Sequence, residues 1–193
     1  QPKLGIYKVR EIEIALPPLP TQKKLASVLS AYDDLIENNE RRIKILEEMA
    51  QSIYREWFVN YRFPGHKNVR MVDSELGEIP EGWEITTLEQ AIDFNPTTRL
   101  TRGADYPNVP METVPLDCSF VQSNSYKPYS GSGCTFSNGD VLFARINPSL
   151  QNGKIAQYFS KAGNPGFGST EYFVLRCRPG VSVQEWVLQI SRS

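Results

Sequence analysis

The chain has 193 residues, with 21 basic and 22 acidic side chains and a formal net charge of −1. That length suffices for one or two domains with a sizeable core, and the composition is that of an ordinary globular protein. Near-neutral charge does not advertise nucleic acid, although a basic patch can sit on a neutral chain. Three scattered cysteines, no C-x-x-C and a lone histidine, His66, leave no metal site in prospect.

Cys118, Cys134 and Cys177 read as reduced residues of a cytoplasmic protein. There is no apolar run of about 18 residues and no signal-peptide pattern.

Residues 1–16 end in "YKVREIEIAL", whose strict alternation from Ile12 through Ile14 to Leu16 predicts a strand with one buried face. It has no upstream partner, so the sequence reads as part of something longer. "PPLP" (17–20) stops the sheet and stiffens the connection.

From Gln22 to about Tyr61 there is neither Gly nor Pro, and Thr21 is a candidate N-cap. Leu25, Leu29, Tyr32, Ile36, Asn39, Ile43, Leu46, Ala50, Ile53 and Trp57 recur at alternating spacings of four and three, the seam of a coiled coil. About 40 helical residues make a rod of roughly 60 Å. The other face carries charges including Asp33, Glu37, Glu40, Arg41, Lys44, Glu47 and Glu48. Residues 22–62 hold seven basic and seven acidic side chains, a balanced, solvated rod rather than a basic DNA-binding helix.

Asn38 and Asn39 interrupt this helix where Asn is a poor helix former. A polar residue on the seam lowers stability but fixes register. An antiparallel copy of the same helix would pair Leu25 with Trp57, Leu29 with Ile53, Tyr32 with Ala50, Ile36 with Leu46 and Asn39 with Ile43. Bulky Tyr32 would then meet small Ala50. The alternative is that the seam packs on the chain's own globular part.

"WFVNYRFPG" (57–65) ends the helix in aromatic residues, broken by Pro64 and Gly65, and residues 63–82 read as a polar connector. Residues 83–193 read as a mainly β domain with small helices. "TTLE" (86–89) and "SVQE" (182–185) have the form of capping boxes, the first for a helix through about Asp93 and the second for one running to Ser193. "DVLFARI" (140–146), "GKIAQYF" (153–159) and "TEYFVLRC" (170–177) are the best strands. The fold class is therefore α+β.

One histidine in a connector leaves no Ser-His-Asp or Cys-His arrangement, and neither a P-loop nor G-x-G-x-x-G occurs. "NPGF" (164–167) resembles the Asn-Pro-Pro-Phe loop of amino-methyltransferases, but Gly166 replaces the second proline and a simple turn accounts for it. No bond chemistry and no cofactor are expected.

Residues 63–98 hold two basic and seven acidic side chains, whereas 99–193 hold nine and six. The basic residues cluster in "TTRLTRG" (97–103), "NSYKPYSGSG" (124–133) and "ARINPSLQNGK" (144–154). Arg99, Arg102, Lys127 and Lys154 suit phosphate contacts, with Asn147 and Asn152 as base readers. Arg145 ends a strand and is ambiguous between DNA and a core acid. Ordinary loops are also polar and Lys-bearing.

"IEIALPPLPTQKKLASVLSAYDDLIENNERRIKILEEM" resembles the central conserved region of the specificity subunits of type I restriction-modification enzymes. The matching residues are Pro17, Pro18, Leu19, Gln22, Asp34, Ile36, Asn39, Ile43, Leu46 and Glu47; Thr21 stands where that family usually has Glu. "LGEIPEGWE" (76–84), "NGDVLFARI" (138–146), "NGKIA" (152–156) and "GFGSTEYFVLR" (166–176) resemble its target recognition domain. The resemblance implies a non-catalytic subunit with two such domains, each reading half of a split site in double-stranded DNA, separated by two antiparallel helices that set the gap. It implies methyltransferase and nuclease-translocase subunits as partners. Against that plan the chain offers the last strand of a first recognition domain (1–21), one spacer helix (22–62), a connector (63–82) and an incomplete second domain (83–193). An antiparallel homodimer could supply the missing helix.

Overall fold

A computed structural model describes residues 5–193, which divide into two compact units at Arg42 and Ile43. The first unit contains helix α1 (Ile6–Arg10) and the beginning of helix α2 (Leu19–Tyr54). The strand expected at 12–16 does not form: these residues lie outside any helix or strand and their side chains are exposed. A strand needs a neighbour to take its backbone hydrogen bonds, and among the described residues none pairs with this segment. Residues 1–4 of the same stretch lie outside the described residues.

Helix α2 starts earlier than Thr21. Pro18 O accepts from Thr21 N–H at 2.9 Å and from Gln22 N–H at 3.1 Å. Pro20 falls in the first turn, where its missing N–H costs nothing. Gln22 Nε2 donates back to Pro17 O at 2.7 Å, which fastens the Pro-Pro element to the helix. At the other end α2 gives way to a π-turn over Arg55–Val59, not to Pro64. Tyr61 then takes a positive φ of 55° and turns the chain.

In the second unit Trp83 gathers the aromatic residues that follow the helix. It stacks on Phe63 at 5.7 Å, meets Tyr61 edge-on at 5.4 Å and lies 5.9 Å from Phe58. The intervening stretch is more than a link. After a 3-10 turn at His66–Asn68, strands β1 (Met71–Ser74) and β2 (Gly77–Pro80) form an antiparallel hairpin. Gly77, at φ 97°, supplies the conformation that this tight turn needs.

The first expected capping box is displaced by one residue and the second does not form. Helix α3 (Leu88–Ala91) is capped at Thr87, with Gln90 rather than Glu89 reaching back, and the chain enters β3 (Ile92–Phe94) before Asp93. The rest of the domain is β4 (Asp105–Val109), β5 (Phe120–Val121), β6 (Tyr126–Pro128), β7 (Cys134–Phe136), β8 (Val141–Ala144), β9 (Ile155–Tyr158), β10 (Gly166–Gly168) and β11 (Tyr172–Cys177). Helix α4 (Gln184–Ser191) closes it and stops short of Ser193. Its N-cap is Val183, because Ser182 is occupied elsewhere, donating to Ala91 O at 2.6 Å.

The strands make two larger sheets, ordered β6-β4-β10-β7 and β3-β11-β8-β9-β5. The second sheet is apolar on both faces, and the alternation along its strands explains how. Leu142, Ala156, Tyr172 and Val174 point to one cluster with Val109 and Phe136 of the first sheet. Val141, Ile155 and Leu175 point the other way, to Val187 and Leu188 of α4. This double burial is why β8, β9 and β11 were the legible strands. Gly166 and Gly168 let β10 slot between β4 and β7: a Cβ on Gly168 would strike Val109 O, and one on Gly166 would meet Phe136. "NPGF" thus runs from an irregular pair, Asn164 and Pro165, into a buried strand. The fold is α+β, as the sequence reading has it.

Candidate nucleic-acid interface and helical seam

An ion pair on a buried carboxylate lies beneath a loop that carries basic residues. Asp140 is 2 % exposed. Its carboxylate accepts from Arg176 Nε and Nη2, both at 2.7 Å, and from Ser137 N–H at 2.7 Å. The hydrogen bond to Asp140 holds the Arg176 guanidinium above its ordinary pKa, against the opposing effect of burial. Arg178 pairs with Asp93 at 2.7 Å nearby and also donates to Gln90 O.

Arg99, Arg102, Lys127, Arg145, Asn147 and Asn152 are all exposed. Arg102 and Lys127 belong to one neighbourhood. Lys127 on β6 sits opposite Tyr106 on β4, the Tyr106 hydroxyl accepts from Thr101 N–H at 3.1 Å, and Arg102 lies beside Gly131. Arg99 is on the same loop as Arg102. Arg145, Asn147, Asn152 and Lys154 form a second group on the β8–β9 connection. Among the described residues no hydrogen bond or ion pair links the two groups.

Lys154 and Arg145 each have a partner within the domain. Lys154 is half-buried and its Nζ donates to Met111 O at 2.8 Å, so it fastens a loop instead of standing free. Among the described residues Arg145 pairs with no core acid; its guanidinium lies over the Phe173 ring, 5.7 Å from the centroid. The thiols of Cys118 and Cys134 are pushed up by burial, and all three cysteines are free. Among the described residues no cluster of His, Cys, Asp or Glu could hold a metal ion, and no helix is long and apolar enough to cross a membrane.

On α2 the seam is uncovered. In the first unit Leu25, Leu29, Tyr32 and Ile36 are exposed by 56 to 65 %, and Asn39 is exposed as well. In the second unit Ile43, Leu46, Ala50, Ile53 and Trp57 form one wall of an apolar groove of about 720 Å³. Phe120, Val183, Trp186 and Leu188 line the opposite side. The residues of α2 that engage the β domain are others. Tyr54 is buried, Gln51 Nε2 donates to Gln189 at 2.8 Å, and Glu47 accepts from the Ser119 hydroxyl at 2.6 Å and lies 3.6 Å from Arg192. Glu47, assigned from sequence to the solvated face, is therefore a docking residue. Its spacing gave no sign of this, because the partners lie at 119 and 192.

Residues 1–48 match the family described as "Type I restriction modification DNA specificity domain". Among individual proteins, the chain is similar to the type I restriction enzyme MjaIX specificity subunit of Methanocaldococcus jannaschii, at 42 % identity over 89 residues. That alignment covers 45 % of this chain and 20 % of the relative. The putative type I restriction enzyme MjaX specificity subunit of the same organism is 29 % identical over 149 residues, covering 77 % of this chain and 30 % of its own length. The HsdS subunit of Thermoanaerobacter tengcongensis, a solved structure, aligns with 92 % of this chain and 41 % of that one, at 17 % identity and a TM-score of 0.47. The chain thus spans under a third of the length of the curated relatives it matches.

Proposed function

We propose that this chain is a non-catalytic DNA-specificity component of a type I restriction-modification complex. In this reading the β domain reads one half of a bipartite site in double-stranded DNA, and α2 holds it at a set distance from a second reading module. The complex is cytoplasmic, and methyltransferase and nuclease-translocase subunits assemble on it. The observation that carries the reading is the coincidence of two features in one stretch: residues 1–48 match the specificity-domain family, and the same stretch bears an apolar heptad seam left uncovered.

A seam so exposed calls for a second helix. We assign that role, for this chain by itself, to a second copy lying antiparallel, which pairs Tyr32 with Ala50 and Leu29 with Ile53. The exposed Arg99, Arg102, Lys127 and Arg145 serve the phosphates, and Asn147 and Asn152 the base edges.

The test is a gel-shift series with the chain and its methyltransferase subunit on duplex DNA over a range of salt. Retardation that weakens linearly on a log–log plot supports the reading. Self-association without retardation of any duplex favours a coiled-coil adaptor with no DNA role.

A further inference from the structure

Resting on the specificity reading above, we infer that Arg176 is a positioning residue for DNA recognition, acting through Thr98 to hold the loop that presents Arg99 and Arg102. The loop between β3 and β4 is pinned at short intervals. At Asn95 the backbone N–H donates to Val174 O at 2.7 Å, and Asn95 Oδ1 accepts from Val174 N–H at 2.9 Å. Two residues further along β11, Arg176 Nη2 donates to Thr98 Oγ1 at 2.9 Å and to Ser137 Oγ at 2.9 Å. Thr101 N–H then donates to the Tyr106 hydroxyl at 3.1 Å, and Gly103 N–H to Tyr129 O at 2.9 Å.

Arg99 and Arg102 fall in the gaps between these pins. Both are exposed, and among the described residues neither guanidinium has a hydrogen-bond or ion-pair partner. The backbone is committed at Asn95, Thr101 and Gly103 and the Thr98 side chain is held between them, whereas these two cations are not. A long, flexible cation on a fixed backbone loses less freedom on meeting a phosphate than one on a loose loop. The anchor itself is rigid, since Arg176 is held by both oxygens of the buried Asp140. The Arg176–Asp140 pair thus carries the order of the sheet out to the recognition loop.

Thr98→Val tests this, because it removes the hydroxyl and leaves the Arg176–Asp140 pair in place. Two readouts are taken on the chain with its methyltransferase subunit: amide hydrogen exchange across residues 96–103, and binding to a duplex library with a randomised core over a salt series. The expected result is faster exchange in that segment and affinity about three- to tenfold weaker, the range of one lost hydrogen bond, with the slope against salt unchanged because no phosphate contact is deleted. Thr98→Ser, which keeps the hydroxyl, restores both. Unchanged exchange overturns the inference, and so does faster exchange with undiminished affinity. No duplex binding by the wild-type complex overturns the specificity reading and this role together, while the exchange data still decide whether Thr98 pins the loop.

Discussion

The hydroxyl of Ser119 donates to the carboxylate of Glu47 at 2.6 Å, and the Ser119 backbone N–H donates to the same oxygen, joining residues 72 positions apart. The second carboxylate oxygen faces Arg192 at 3.6 Å. The contact fixes the later turns of α2 on the segment leading into β5.

Glu47→Ala removes both bonds and leaves a largely buried N–H without a partner. A loss of about 1–3 kcal/mol is expected, in the range for leaving a buried donor unsatisfied. Urea unfolding followed by circular dichroism measures it, and Glu47→Gln, which keeps one acceptor oxygen, falls between the two. Equal stability of wild type and Glu47→Ala would show the contact to be incidental.

Ile43→Asp addresses the seam. Ile43 is 45 % exposed within its own chain, so the substitution leaves the fold intact. In an antiparallel pair it would bury a carboxylate without a partner, at a cost large enough to dissociate the helices. Sedimentation velocity at micromolar concentration is expected to show wild-type dimer and variant monomer. A wild-type chain that sediments as a monomer removes the self-pairing.

Single substitutions Arg99→Ala, Arg102→Ala and Lys127→Ala are each expected to flatten the log–log dependence of duplex affinity on salt by about 0.9, one phosphate contact apiece. Lys154→Ala behaves differently. Its Nζ is committed to Met111 O, so the change lowers the midpoint of unfolding and alters the slope little. A slope untouched by all three exposed cations would move the interface elsewhere.

The domain is also expected to lose stability at alkaline pH. Burial pushes up the phenols of Tyr54, Tyr158 and Tyr172 and the thiols of Cys118 and Cys134, with Tyr172 moved furthest. In the unfolded chain these groups ionise near their ordinary values, about 8.5 for thiols and 10 for phenols. Above those values the unfolded state sheds protons that the folded state keeps, so unfolding is favoured. The stabilising contribution is whole below pH about 8.5 and is lost as pH rises through the raised folded-state values. Urea midpoints should hold level from neutrality to about 8.5 and fall beyond about 10. Tyr172→Phe should make that fall shallower.

The sequence disclosed elements in proportion to how much of their energy is local or periodic. The long helix was legible because its seam repeats through many turns, and β8, β9 and β11 because each is apolar on both faces. The short strands β5 to β7 and β10 were not. Two or three residues carry no period, and Gly166–Gly168 forms a strand only because β4 and β7 flank it. The N-terminal alternation of Ile12, Ile14 and Leu16 misled for the opposite reason, since a pattern fit for a sheet needs a sheet to join. Among the candidate site residues, exposure of Arg99, Arg102 and Lys127 followed from their turn-rich context. The engagement of Lys154 depends on Met111, 43 residues away, and no spacing rule reaches that far.

Docking of α2 on the β domain starts at Glu47, while every side chain from Lys23 to Arg42 is exposed. The earlier turns therefore tolerate surgery that the later ones do not. Splicing in or cutting out a whole heptad ahead of Arg42 keeps the stripe of knobs in phase and leaves Tyr54, Trp83 and their neighbours undisturbed. A change in the length of α2 thus has an obvious place to happen, ahead of Arg42, without the β domain being rebuilt.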